Sequence, residues 1–367
     1  MDFSNISNTK IIKGKDCVIN CSEIFKNYGS KALIVTGKRS AYINGSLNDV
    51  KEALDKVNIE YATFSDVEEN PSVNTVLNGG KFGREERCDF VIGIGGGSPM
   101  DAAKGIALSI KNPEIGQKEL YDKTLKLEAL PVLMIPTTCG TGSEVTGVAV
   151  ISVPDKRTKC SLPHRIFPEV AFLDAKYLMS ASRKIIEYTS IDALGHIYES
   201  YINKGVTDDC KKVGLAGLEL FAEVKGEIFG GGEYSFEALD KMLLSSNYAG
   251  LAIKVSGTSA PHALSYRQTF EFGIAHGKAI GHFQPGYLKY AAKEDRDILI
   301  KTAGFKDFDE FEEFIGLKCS FDEAPSDKIL EIKLKSVDEI MADEARINKI
   351  PYKVDRDILL DIAGIKK

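Results

Sequence analysis

DFVIGIGGGSPMDAAK, residues Asp89 to Lys104, decides how the first half of the chain reads. Asp89 to Ile94 is an apolar, β-branched run with the look of a buried strand, and it passes directly into Gly95, Gly96 and Gly97. A helix is expected to start there. Ser98 can cap it, Pro99 suits its first position, and Asp101 sits where a capping box places its acid. Glycines let a backbone come close to a pyrophosphate, and the free N–H groups and dipole of a helix start favour its charge. A tight turn without a ligand would look the same, and Ser98 stands where G-x-G-x-x-G has its third glycine.

Outward from this turn, Lys31–Thr36, Ile59–Phe64, Pro131–Ile135 and Val170–Asp174 also read as strands. Ser46–Val57 and Asn74–Glu86 carry apolar residues at helical spacing between them. Strand, helix, strand in repetition predicts an α/β domain over residues 1–182, with a mostly parallel sheet covered on both faces. Beyond about Ser182 strand-like runs vanish. Ile191–Asn203, Leu215–Phe229, Phe308–Ile315 and Lys328–Ile340 keep helical periodicity, so residues 183–367 are expected to be all-helical.

A second loop, PTTCGTGSE (Pro136–Glu144), also follows an apolar strand. It sets the hydroxyls of Thr137, Thr138, Thr141 and Ser143 beside Gly140 and Gly142, a chemistry suited to phosphate or ribose. A polar surface loop is the alternative for this stretch taken alone. Two such loops in one α/β domain favour a nucleotide.

The five histidines are His164, His196, His262, His276 and His282. Asp192 and His196 lie four apart, on one face of an expected helix. An Asp-x-x-x-His pair plus two further histidines suits a divalent metal with a coordination position open to substrate. Spacing alone, however, favours the plainer reading of a surface Asp–His pair and two ordinary histidines.

Of the 367 residues, 43% are hydrophobic and 27% charged, as in soluble globular proteins. The net charge of −6 argues against nucleic acid and against a polybasic membrane surface, but not against a small anionic ligand. Seven cysteines, odd in number and without C-x-x-C, read as reduced thiols. The N-terminus lacks the apolar core of a signal peptide, and no run approaches the about 18 apolar residues of a membrane span. A cytoplasmic protein is expected.

Taken together, these stretches resemble the iron-containing alcohol dehydrogenase family over most of the chain. GIGGGSPMDAAK (Gly93–Lys104) is similar to its pyrophosphate turn and PTTCGTGSEVT (Pro136–Thr146) to its second cofactor loop. Lys159 falls where the family has a lysine shortly before a Pro-to-Asp segment, here Pro168–Asp174. Asp192, His196, His262 and His276 match its four metal ligands. The resemblance implies an N-terminal nucleotide domain, a helical C-terminal domain and a metal in the cleft between them. It also implies a homo-oligomer, a dimer, acting on a small alcohol or aldehyde. The metal would be Fe2+, with Zn2+ in some members, since one Asp and three His suit both. Such an ion would act as Lewis acid while hydride passes to or from a nicotinamide. A lyase of the dehydroquinate-synthase type, using NAD transiently, and a catalytically silent nucleotide-binding homologue are the competing readings.

Two features bear on specificity. After the first strand the chain reads VTGKRS (Val35–Ser40), with no acid near Gly37 to bind a ribose 2′-hydroxyl. Gly37 leaves room, Ser40 can donate, and Lys38 or Arg39 can pair with a 2′-phosphate, so NADP(H) is expected over NAD(H). The alternative is that both cations merely solvate a turn. The family often has a second histidine and then Pro after its third ligand, where this chain has Tyr266 and Arg267, and its usual Asn after H-G-x-A is Ile280. Tyr266 could relay a proton, and Arg267 could hold an anionic aldehyde such as phosphonoacetaldehyde. The alternative has Tyr266 in the helical core and Arg267 facing solvent.

Overall fold

Successive residues of a strand point to opposite faces, and two apolar cores take them in turn. On β2 (Lys31–Gly37), Leu33 and Val35 enter one core while Ala32 and Ile34 enter the other. The same division holds on β4 (Phe90–Gly95) and β5 (Val132–Pro136), so both faces of the sheet are covered. The structure is a computed structural model that describes residues 3–153 and 158–365. The chain forms two compact units: Asp2–Arg183 with Ser235–Leu243, and Lys184–Tyr234 with Leu244–Lys367.

The first unit is α/β. Its six-stranded sheet adds β1 (Lys10–Lys13), β3 (Glu60–Val67) and β8 (Val170–Leu173), in the order β1-β8-β5-β4-β2-β3, with every pairing parallel. Helices α1 (Ser46–Lys56), α2 (Val73–Glu85) and α3 (Gly97–Lys111) follow β2, β3 and β4. From β2 the chain moves outward to β3 and then returns to the other side of β2 as β4. At such a reversal the loops leaving the carboxyl ends of neighbouring strands diverge, which is where open α/β sheets bind ligands. β1 was not anticipated: KIIK is a short, part-exposed edge without alternation. Nor was the antiparallel hairpin of β6 (Val150–Val153) and β7 (Thr158–Ser161).

The second unit is helical. Its elements include α4 (Arg183–Ile202), α5 (Asp208–Phe229), α6 (Ala260–Phe272), α7 (His276–Lys289), α8 (Phe308–Lys318) and α9 (Ser326–Met341). Every residue of α4 from Ser190 to Ile202 is buried, so the polar groups on this helix are interior ones. α7 begins hard against α4: a Cβ on Gly277 would lie 1.7 Å from the Tyr188 carbonyl oxygen and 3.3 Å from Asp192 Cβ. Only glycine permits that approach. No helix among the described residues is long and apolar enough to cross a membrane.

Candidate metal centre and nucleotide loops

The two glycine loops of the α/β unit touch. Pro136 is paired with Gly95, and the Thr137 N–H donates to the Gly95 carbonyl at 2.9 Å. A Cβ on Gly96 would meet Thr138 Cγ2 at 3.2 Å, and one on Gly97 would meet Thr141 Cγ2 at 2.8 Å. The glycines thus serve loop-on-loop packing in addition to any approach by a ligand.

Behind the loops lies a buried polar cluster. The Lys104 ammonium, wholly shielded from solvent, donates to Ser143 O (2.8 Å), Ser143 Oγ (2.7 Å) and Val148 O (2.7 Å). The Ser143 hydroxyl in turn donates to Asp101 Oδ1 at 2.6 Å, and Val150 N–H donates to Asp101 Oδ2 at 2.9 Å. Burial pushes Lys104 down to about 8, against the pull of Asp101 and Glu144. Burial likewise pushes Asp101 up, opposed by Lys104, Ser143 and the nearby buried Lys159, which sits on β7 opposite Ser152.

Asp101 and Ser143 thus direct polar atoms at each other and at the loop backbone. The structure differs from expectation at Ser98, which does not cap α3. The capping position falls on Gly96 without a side-chain bond, and Ser98 Oγ accepts the Asn70 N–H at 3.0 Å. With three glycines in sequence the helix starts two residues earlier than a serine cap would place it. At the end of β2, Gly37 has no neighbour closer than 3.6 Å to a Cβ position. Lys38, Arg39 and Ser40 are exposed, and neither cation forms an ion pair among the described residues.

In the helical unit, α4 and α6 bring Asp192, His196 and His262 together, each buried, with one donor atom from each within 4.8 Å of the others. Asp192 Oδ1 lies 3.8 Å from His196 Nε2 and 3.7 Å from His262 Nε2. Both Asp192 Oδ1 and His262 Nε2 are buried without a hydrogen bond among the described residues. Buried polar atoms rarely remain so, and a site for an ion is one of the standard reasons. Donors roughly 3–4 Å apart suit an ion about 2.1 Å from each. The residues present therefore fit a divalent metal. Burial pushes the Asp192 carboxyl up, but His196, His262 and His276 around it hold it well below the usual range. Burial opposes a proton on His262, yet Glu199 and Asp192 on either side raise it to about 9.

His276, the first residue of α7, lies outside that three-residue set. Its ring stands edge-on to His262 at 5.6 Å, and Tyr266 stacks on it at 6.0 Å with an 18° tilt. His282 is engaged elsewhere, with Nδ1 3.1 Å from Cys319 O and Nε2 2.7 Å from Lys333 Nζ. Arg267 is not a free cation. Its guanidinium donates to Glu339 through Nε at 2.8 Å and through an Nη, and Glu271 lies 3.7 Å away. Two carboxylates therefore surround this guanidinium. Sequence reasoning passed over Glu199, whose carboxylate sits 2.6 Å from His262 Nδ1.

A parallel sheet carrying two glycine loops at its strand ends and a helical unit with a buried Asp–His cluster is the arrangement expected of a protein that pairs a nucleotide site with a metal site. Residues 8–175 match the family described as iron-containing alcohol dehydrogenase, and residues 186–331 match its C-terminal family. The chain is 30% identical to the lactaldehyde reductase of Escherichia coli over 275 residues, covering 74% of this chain and 70% of that one. It is 30% identical to the NADPH-dependent butanol dehydrogenase of Clostridium saccharobutylicum over 285 residues, covering 75% and 71%. The structure of an iron-containing alcohol dehydrogenase from Thermotoga maritima superposes with a TM-score of 0.87 at 33% identity, covering 97% of each chain. The chain belongs to the iron-containing alcohol dehydrogenase family. It is an enzyme of the alcohol and aldehyde dehydrogenase class.

Proposed function

We propose that this enzyme reduces a small aldehyde to its primary alcohol with NADPH, using one divalent ion, iron or zinc, held by Asp192, His196, His262 and His276. The observation that carries the reading is the pair of buried, unbonded donor atoms, Asp192 Oδ1 and His262 Nε2, facing each other 3.7 Å apart. When bound, the ion supplies Lewis acidity toward the substrate oxygen. The stacking of Tyr266 on His276 supports Tyr266 as the group that exchanges the hydroxyl proton. The glycine turn and Thr137, Thr138 and Thr141 offer backbone and hydroxyl donors to the cofactor, with Lys159 adding charge behind them. Exposed Lys38 and Arg39, with Ser40 and the room at Gly37, support NADP(H) over NAD(H). The seven free thiols support a cytoplasmic setting, and the dimer rests on the resemblance.

The pairing of Arg267 with Glu339 and Glu271 favours an uncharged aldehyde over an anionic one such as phosphonoacetaldehyde. Metal-loaded enzyme assayed with neutral and anionic aldehydes of similar size, with NADPH and with NADH, tests each part. Higher kcat/KM with NADPH and with neutral aldehydes is the expected result, and Arg267→Ala should change KM for both aldehyde classes alike. Equal or better efficiency with NADH refutes the cofactor choice. A selective rise in KM for anionic aldehydes in Arg267→Ala refutes the substrate reading.

A further inference from the structure

Glu199 lies on the same stripe of α4 as His196 and Asp192, three and seven residues further on, and its side chain is fully buried. Its carboxylate has three donors around it. Oε1 is 2.6 Å from His262 Nδ1 and accepts from Gln284 Nε2 at 2.8 Å, while Oε2 accepts the Ser259 N–H at 2.6 Å. Ser259 is the residue at which α6 begins, and His262 lies in the first turn of that helix. One side chain therefore grips both the start of the helix and the ring it carries.

A buried carboxylate is costly unless it is paired, and hydrogen-bonded networks of this kind hold their members in a single arrangement. A carboxylate beside a ring nitrogen acts as acceptor, so the proton of a neutral His262 sits on Nδ1. That leaves the Nε2 lone pair directed at Asp192 Oδ1, the side on which Nε2 has no hydrogen bond. We propose that Glu199 is the positioning residue of the metal centre: it fixes His262 as the Nδ1–H tautomer, with Nε2 as ligand atom. It also sets a second buried negative charge behind the site, so that Asp192 and Glu199 together balance a divalent ion. Outer carboxylates of this kind are worth roughly 10–100-fold in metal affinity. The inference rests on the metal reading above.

The test uses the full-length enzyme, stripped with a chelator and titrated with Co2+ while its visible d–d absorption is followed. Histidine-15N spectra of the Zn2+-loaded protein report the tautomer of His262. Glu199→Gln keeps the volume but turns an NH2 group toward either His262 Nδ1 or the Ser259 N–H. It is expected to bind Co2+ roughly 10–100-fold more weakly, with altered d–d bands, and to lose the Nδ1–H signature of His262 where the NH2 group faces that ring. Glu199→Asp, which keeps the charge but shortens the reach, should fall between Glu199→Gln and the parent. Glu199→Gln with parental Co2+ affinity, bands and tautomer overturns the proposal, even if its melting temperature is lower. If Glu199→Gln does not fold, parental Co2+ affinity in Glu199→Asp overturns it. Parent enzyme that takes up no Co2+ overturns the metal reading itself, whereas uptake by the parent that Glu199→Gln matches overturns only the role of Glu199.

Discussion

In the glycine-loop region, Lys104, Asp101 and Ser143 direct their polar atoms at one another and at loop backbone. In the helical unit, Asp192 Oδ1 and His262 Nε2 are buried with no hydrogen bond among the described residues. Both regions are buried and charged, yet one is saturated and the other is not. The difference follows from what each must recognise. A nucleotide's phosphates can be met by backbone N–H groups, so the side chains behind the loops are free to act as scaffolding. A metal must be met by side-chain donors, so those have to be left without other partners. Here the saturated cluster serves as scaffold, and the unbonded pair of Asp192 and His262 is the candidate ligand set.

The largest test of this contrast removes a ligand. His196→Ala is expected to lose most bound metal and to lower turnover roughly a thousandfold or more, because the Lewis acid contributes several kcal/mol to the transition state. Metal analysis and NADPH consumption read it out together. Stoichiometric metal with full activity would remove His196 from the ligand set.

Next in size, Lys104→Met breaks the saturated cluster. It leaves the Asp101 carboxylate beside its two hydrogen-bond donors without the buried cation, a change that typically costs about 3–5 kcal/mol. Denaturant unfolding should show that loss, while Co2+ uptake by the helical unit stays at the parental level. A stability change below about 1 kcal/mol would show that the cluster is not the scaffold described.

A finer test separates the two reasons for glycine at the loop. Gly97→Ala brings a methyl against Thr141 Cγ2, an overpacking worth about 1–3 kcal/mol. Adding Thr141→Ser removes the opposing methyl. The double variant should recover most of the melting temperature yet keep NADPH binding about tenfold weaker, if close backbone approach to pyrophosphate needs glycine as well. Recovery of both would assign Gly97 to loop packing alone.

The smallest effect lies outside both regions. Lys333 on α9 sits between the rings of Phe283 and Phe321, at 5.6 and 5.3 Å, with neutral His282 as its hydrogen-bond partner, and burial pushes it down to about 8. Between pH 8 and about 10.4 the unfolded chain holds a proton that the folded one has released, so this residue makes stability rise with pH across that window. Lys333→Met should flatten that rise and gain on the order of 1 kcal/mol near neutral pH. Parallel melting-temperature profiles from pH 7 to 10 for parent and variant would contradict it.

Much of this architecture was legible in the sequence. The five expected strands are all present and parallel, and the central ones, buried on both faces, read as continuous apolar runs. The edge strand β1 and the partner strand β7 carry no such run, and β6, which does, was passed over because it follows a glycine-rich loop. At the metal centre, the Asp192–His196 spacing pointed to one helix face, and the structure adds His262 beside it. Glu199 escaped notice because an acid on a helix ordinarily faces water, and no spacing rule reports that α4 is buried from Ser190 to its end. The pairing of Arg267 with Glu339 spans 72 residues of sequence, a separation at which local pattern is silent. The bond between Ser143 and Asp101 was silent for the same reason, since it joins residues 42 apart.

The contact between Gly277 and the Tyr188 carbonyl has a consequence for how this chain can change. Every missense change at a glycine codon adds at least a Cβ, and here that carbon would fall 1.7 Å from a main-chain oxygen that has no rotamer to escape into. Position 277 therefore has no permitted neighbour in sequence space, whatever substrate is being selected for. A randomised library would score it as indispensable and invite the conclusion that it takes part in chemistry. Its intolerance instead reflects the closeness of two helices, and the adjoining His276 inherits a fixed address from it.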